Sequence, residues 1–172
     1  KNQKERLSFF LKHNFGSEKK IYLIHHQDAH IASSFYSSKF KKALAFSLDA
    51  SGDGNCGHVS LCDEDKIKKV SEMKNDNSLG FFYTLMTHYL GFNDGDEYKV
   101  MGLAPYGKPN IDLNKILKIT KSGWKLNKSF IRNVPKIKSP FEPMYSNKLI
   151  TLLGKPRTPG TKINRFHENL AA

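Results

Sequence analysis

Long apolar runs are missing from this 172-residue chain. No stretch approaches the ~18–20 consecutive apolar residues a bilayer span needs, which excludes a transmembrane helix on sequence grounds. The opening Lys1-Asn-Gln-Lys-Glu-Arg6 leads into a short amphipathic segment and not into the apolar centre of a secretory signal. Cysteine is scarce: Cys56 and Cys62 lie either side of a predicted strand, and suit reduced thiols in a cytoplasmic protein at least as well as a disulfide. Arginine is scarce too, with Arg6, Arg132, Arg157 and Arg165 alone, so lysine carries nearly all of the +12 net charge. Planar bidentate recognition of bases and phosphates favours arginine. The lysines are scattered from Lys39–Lys42 through Lys66–Lys69 to Lys115–Lys138, with no aromatic-interleaved stripe. Nucleic-acid binding is therefore disfavoured, whereas a basic face still attracts phosphorylated small molecules.

What is present describes a globular protein, with room for one domain or part of a larger one. A first helix carries Leu7, Phe10 and Leu11 on one face and ends at Gly16. At the other end Ile163, Phe166 and Leu170 repeat at helical spacing up to the final Leu-Ala-Ala, so the chain is expected to be cut from a longer polypeptide.

The run Ile21-Tyr-Leu-Ile-His-His-Gln-Asp-Ala-His30 reads as a short buried strand, Ile21 to Ile24, with histidines at its end. A helix beginning near Gln27 puts His26 and His30 one turn apart on the same side. Two imidazoles so placed can share a divalent metal, at ~2 Å from each nitrogen; solvated histidines at a helix start are the plainer alternative.

Further on, Ala43 to Asp49 predicts a buried strand, Ser51 to Gly57 a reversal, His58 to Cys62 the returning strand, and Ile67 to Met73 a third. Asn77-Ser78 then caps a helix from Leu79 to Tyr89, stopped by Gly91, with Leu79, Phe82, Tyr83, Met86 and Leu90 facing the core and Thr87 on the polar side. Beyond it a helix is expected over Ile111 to Thr120, a strand over Trp124 to Ile131, a loop over Pro135 to Pro140 and a helix over Phe141 to Leu153. Gly154 to Gly160 is expected to be a mobile connection, and His88 to be exposed on its helix.

Four motifs stand together in this order. They are His26-Gln-Asp-Ala-His-Ile-Ala-Ser-Ser-Phe-Tyr36, Asp49-Ala-Ser-Gly-Asp53, the helix Gly80 to Phe92, and Glu97-Tyr-Lys-Val-Met-Gly-Leu-Ala-Pro-Tyr-Gly107. Over roughly residues 20 to 110 this pattern resembles the NodU/CmcH family of O-carbamoyltransferases, and Phe166 to Ala172 resembles the start of a later family helix. The resemblance implies an α/β (α+β, mixed-sheet) fold of the actin/sugar-kinase ATPase type, here incomplete, as in the tRNA threonylcarbamoyl transferases. Residues 1–172 would then be part of an amino-terminal transfer domain, with a carboxyl-terminal activation domain elsewhere.

On that resemblance, carbamoyl phosphate and ATP give carbamoyl adenylate, whose carbamoyl group passes to a hydroxyl of a sugar or other natural product. His26 and His30 would hold a divalent metal, iron in the family, with a third ligand from an Asp downstream of this chain. His25 stays outside the site as a strand-end residue. Asp49 and Asp53, with Gly52 and Gly54, would face the adenylate or a metal-bound phosphate; Ala50 stands where the family has glycine. Gly80, Tyr83, Thr84 and Thr87 would line the nucleotide, and Glu97 and Lys99 would bind ribose or phosphate, their alternative being a surface ion pair. Gly102 and Gly107 bracket a turn stiffened by Pro105. A homodimer is compatible with the resemblance, and a membrane is not involved. Two other readings stay open: a truncated nucleotide- or metal-binding relic without turnover, and a tRNA-modifying carbamoyl transferase, favoured only by the lysine surplus.

Overall fold

The computed structural model describes residues 3–16, 20–121, 123–132 and 143–172. Helix α1 (Gln3–Phe15) stops at Gly16, whose φ of 65° supplies the left-handed residue a helix end favours. None of its residues is buried, so the expected apolar face meets no core among the described residues.

Helix α2 (His26–Ser37) follows an irregular segment. Its buried residues Gln27, Ile31 and Phe35 recur every fourth position and form one stripe. That stripe lies on a three-stranded antiparallel sheet of order β1-β2-β3, made of β1 (Lys42–Gly52), β2 (Asn55–Asp63) and β3 (Lys66–Lys74). Ile31 and Phe35 pack with Cys62, Ala43, Ala45 and Ile67, which the register Ala43↔Cys62↔Ile67 puts on one face. The opposite face, with Leu44, Phe46 (68 % exposed), Leu48 and Leu61, is open.

The reversal between β1 and β2 is a two-residue turn. Gly52 pairs with Asn55, and Asp53 (φ 51°) and Gly54 (φ 84°) both take positive φ. Two positive values in a tight hairpin are the reason for the Asp-Gly sequence, because that turn's twist matches the strands it joins.

The main core gathers around α3 (Leu79–Tyr89), whose bounds match the sequence expectation. Ser78 caps it by accepting from the Phe81 amide. Leu85, Met86, Tyr89 and Leu90 pack with Val100, Ile116, Leu126, Phe130, Met144, Leu149 and Leu170. No α3 residue is exposed, so the predicted stripe is too narrow. Thr87 is fully buried instead of lying on a polar side, and its hydroxyl donates to the Tyr83 carbonyl. The His88 side chain is only 8 % exposed instead of lying in solvent, accepting from the Met144 amide through Nδ1 and lying 2.8 Å from Asp94 through Nε2.

Around this core stand α4 (Glu97–Leu103) with a 3-10 turn at 104–106, the hairpin β4 (Leu117–Thr120) and β5 (Gly123–Leu126), then α5 (Asn147–Leu153) and α6 (Arg165–Ala171). Much of the predicted turn after Glu97 is therefore helical. In α6 the buried side chains are His167 and Leu170, while Phe166 is exposed. No helix among the described residues is long and apolar enough to cross a membrane.

Several expectations are corrected here. Ile21–Ile24 is not a strand: it has no pairing partner, and Tyr22, Leu23 and Ile24 are 58 to 70 % exposed. A strand there would reach β1 through α2, the crossover that makes a parallel neighbour. Without it every described strand pair is antiparallel, and no mixed sheet forms among the described residues. Over residues 111–120 a helix is replaced by turns and β4, because Asp112 accepts from the Asn114 amide and Ile119 pairs with Trp124. The strand from Trp124 ends at Leu126, where the Asn127 side chain accepts from the Ser129 amide and starts a 3-10 turn. Before α5, Tyr145 bridges to Ile131, and the Ser146 amide donates to the Phe130 carbonyl, so the described part of the predicted helix begins only at Asn147. Gly154 to Gly160 is tied down: the Tyr89 hydroxyl donates to the Gly154 carbonyl, and the Arg157 guanidinium donates to the Leu90 carbonyl over the Phe92 ring. The predicted loop Pro135 to Pro140 and Phe141 lie outside the described residues.

Candidate metal centre

Two elements meet at the carboxyl end of β1. His26 opens α2 and His30 follows one turn later. Their Nε2 atoms are 3.0 Å apart, with the rings nearly perpendicular at 81°. Asp49 Oδ2 lies 2.7 Å from His26 Nε2 and 3.4 Å from His30 Nε2. An imidazole lone pair lies in the ring plane, so perpendicular rings can aim at one point. The three edges suit donors sharing a small cation at ~2 Å. The side chains are 43 %, 53 % and 31 % exposed, so the triangle is open to a ligand. Burial pushes the Asp49 carboxyl up, but hydrogen bonds from His26, the Ala50 amide and His30 outweigh it and hold it below the usual carboxylate range. The group is therefore an anion at neutral pH.

Neighbouring residues fix the triangle. Asp53 Oδ2 accepts from the His26 amide at 2.8 Å, which ties the hairpin turn to the first residue of α2 and sets a carboxylate at its positive end. Gly52 makes room for the His26 ring: a Cβ there would lie 2.1 Å from His26 Cδ2. Gly80 does the same for α3, since a Cβ would lie 2.5 Å from the Ala50 Cα. The Ser78 hydroxyl donates to the Ala50 carbonyl, so the amino end of α3 is pressed against the residue after Asp49.

Among the residues singled out in the sequence, the structure thus brings together His26, His30, Asp49, Asp53 and Gly52, with Gly54 in the turn and Gly80 alongside. The others form a separate group. The Thr84 hydroxyl donates to Glu97 Oε1 at 2.8 Å, and burial, then the charge of Glu97, pushes the Tyr83 hydroxyl up. Lys99 pairs with Asp96 and not with Glu97. Gly102 is exposed, with open space where a Cβ would stand. Gly107 belongs to packing, because a Cβ there would lie 2.0 Å from the Glu168 carbonyl of α6. No hydrogen bond or ion pair among the described residues joins the Glu97 group to the histidines.

Sequence reasoning set Asp49 toward the adenylate or a metal-bound phosphate and sought the third metal donor outside the chain; in the structure Asp49 Oδ2 lies within 3.4 Å of the Nε2 atoms of both histidines. It left His25 outside the site as a strand-end residue and gave no role to Asp28 or His58. His25 caps α2 by accepting from the Gln27 amide, and His58 lies 2.9 Å from Asp28. No local signal marked them: Ser47 and His58 share a strand face with Ala43, Ala45, Ser60 and Cys62, and only their partners across the sheet and on α2 reveal their burial.

Comparison with known proteins identifies the family. Residues 4–169 match the family described as Carbamoyltransferase N-terminus. Nodulation protein NolO of Bradyrhizobium diazoefficiens is 40 % identical over 87 residues, covering 51 % of this chain and 16 % of that protein. Nodulation protein NolNO of Sinorhizobium fredii is 36 % identical over 102 residues, 58 % of this chain and 15 % of that protein. An uncharacterised Synechocystis protein is 30 % identical over 154 residues, 86 % of this chain and 24 % of that protein. The chain thus spans a quarter or less of the length of these curated relatives. With the match running through almost every described element, the chain belongs to the carbamoyltransferase N-terminus family.

Proposed function

We propose that the full-length protein transfers a carbamoyl group from carbamoyl adenylate, formed from carbamoyl phosphate and ATP, to a hydroxyl of a small-molecule acceptor such as a sugar. This chain supplies part of the transfer domain, of the actin/sugar-kinase type, and the activation chemistry belongs to sequence outside it. The observation that carries the reading is the convergence of His26, His30 and Asp49 in an open site within the matched family region.

A divalent metal held by these three residues, iron by the family resemblance, supplies a Lewis acid for a carbonyl or phosphate oxygen. The protein's own residues set up the rest. Asp49, held ionised, offers a carboxylate donor without first losing a proton. Asp53 and Gly52 keep His26 in register with β1. The amino end of α3, beside Ala50, offers backbone N–H groups and the positive end of its dipole to an anionic group such as the adenylate phosphate. Glu97, held by Thr84, is assigned to a ribose hydroxyl, and Lys99 to a phosphate.

The test is metal content after anaerobic purification of the full-length polypeptide. Near-stoichiometric iron or zinc in the native protein, lost in folded His26→Ala and in folded Asp49→Asn, is the expected result. No metal in folded native protein would overturn the reading. Metal retained in Asp49→Asn would remove Asp49 from the donor set.

A further inference from the structure

Behind the triangle, on the sheet side of α2, lies a chain of polar groups that carbamoyl transfer does not use. Gln27, Ser47, Asn55 and His58 are all buried, Gln27 and His58 completely. The Ser47 hydroxyl donates to Gln27 Oε1 at 2.7 Å and accepts from the His58 amide at 3.0 Å. Gln27 Nε2 donates to the Asn55 carbonyl at 3.2 Å. His58 Nδ1 lies 2.9 Å from Asp28 Oδ1. A carboxylate oxygen only accepts, so Nδ1 donates, while Nε2 lies 3.0 Å from the Asn55 side-chain amide nitrogen.

His25, Asp28 and His58 lie close enough to suggest a second metal cage. The ring geometry argues against it. His25 and His58 stack at 4.8 Å with 22° between their planes, so their lone pairs run in nearly parallel planes and do not meet. His25 Nδ1 is already an acceptor for the Gln27 amide, and His58 uses both nitrogens.

The position of this network suggests what it does. The donors of the triangle come from two elements, His26 and His30 from α2 and Asp49 from β1, so the gap between them depends on how α2 is held against the sheet. Gln27 follows His26 directly. Ser47 lies two residues before Asp49, and Ser47 pairs with His58 across β1 and β2. The Gln27–Ser47 and Asp28–His58 links therefore pin the first turn of α2 to the hairpin, with Gln27, Asp28 and Ser47 each within two residues of a donor. Burying so many polar groups costs more than an apolar contact of the same shape, unless each is bonded. Its return is a defined geometry.

Resting on the metal-binding reading of His26, His30 and Asp49, we propose that His58 and Gln27 are positioning residues that hold the donors at chelating distance. Loss of such outer partners commonly lowers metal affinity by about 10- to 100-fold.

The test uses the full-length polypeptide with Co(II) alone as probe, reading affinity by chelator competition and donor geometry from the ligand-field absorption bands. His58→Phe and Gln27→Met should fold, bind Co(II) about 10- to 100-fold more weakly, and shift those bands. His58→Asn, which keeps an N–H donor toward Asp28, should recover most of the affinity and the native bands. Native affinity and bands in folded His58→Phe and Gln27→Met would overturn the proposal, as would His58→Asn behaving like His58→Phe. Ser47→Ala removes only the two hydrogen bonds of one hydroxyl and serves if either buried variant fails to fold. Imidazole nitrogen shifts of His26 and His30 in metal-free protein separate this proposal from the metal reading. Native protein that takes up no Co(II) overturns the metal reading; shifts unmoved by His58→Phe overturn the positioning role by themselves.

Discussion

Gly52 offers a perturbation whose effect on the site separates from its effect on the fold. In Gly52→Ala the new methyl would sit 2.1 Å from His26 Cδ2, 2.3 Å from Cγ and 2.8 Å from Cβ. Gly52 is not among the residues with positive φ, so alanine takes the backbone conformation without strain. The cost is therefore steric and falls on His26, its ring first. Ordinary contact begins near 3.4 Å, so the ring must retreat by about 1.3 Å, the difference between 3.4 and 2.1 Å. That displacement breaks the 2.7 Å approach of His26 Nε2 to Asp49. A donor misplaced by ~1 Å costs on the order of 100-fold at a site that depends on position. The ring can swing outward, but the 2.8 Å approach to His26 Cβ is not relieved by rotation and α2 must shift as well, so stability should fall by about 1–3 kcal/mol, the range of overpacking. Gly54→Ala is the crossed control. With φ +84° and nothing within 4 Å of its Cβ position, it should lose about 1–2 kcal/mol of stability to left-handed strain and leave metal affinity close to native. Urea unfolding and metal titration of both variants give four numbers. Native metal affinity in Gly52→Ala, or equal losses in both variants, would refute the claim that Gly52 is there to admit the His26 ring.

Other consequences are open to simple assays. Leu85, fully buried at the centre of the main core, should cost about 2–5 kcal/mol on Leu85→Ala in urea unfolding; a loss under about 1 kcal/mol would mean that α3 is not the core helix. Cys56 and Cys62 are free and buried, and burial pushes both thiols up, so iodoacetamide at pH 8 should label them slowly in native protein and rapidly in urea. Burial, then neighbouring Tyr145, pushes the Tyr89 hydroxyl up to about 12 from 10.0. The folded state then holds a proton that the unfolded chain releases. Its stabilisation is present below pH 10.0 and is lost as pH rises through about 12. Tyr89→Phe should flatten that alkaline slope in unfolding titrations, and an unchanged slope would assign it to other groups.

The parts of the fold legible in the sequence are those where local chemistry and tertiary packing ask for the same thing. Ser78, the apolar run behind it and Gly91 define α3 to the residue, and Asp53-Gly54 defines the hairpin that carries Asp49. Where the two disagree, long-range partners decide. Ile21 to Ile24 has the composition of a strand, but composition supplies no neighbour, and an unpaired strand leaves its N–H and C=O groups to water. Residues 111–120 have helical spacing, yet the Ile116 carbonyl accepts from the Asn127 amide, and Ile119 faces Trp124. Neither partner is visible within a local window. The site follows the same logic. His26 and His30 are readable because i and i+4 are neighbours on any helix. Asp49 as a donor is not, since its place depends on how α2 is set down on β1, and that is governed by Gln27, Ser47 and His58, three polar residues whose burial no periodicity announces. A buried polar residue signals itself only through its partner, so the residues that align this site are the ones a single sequence conceals.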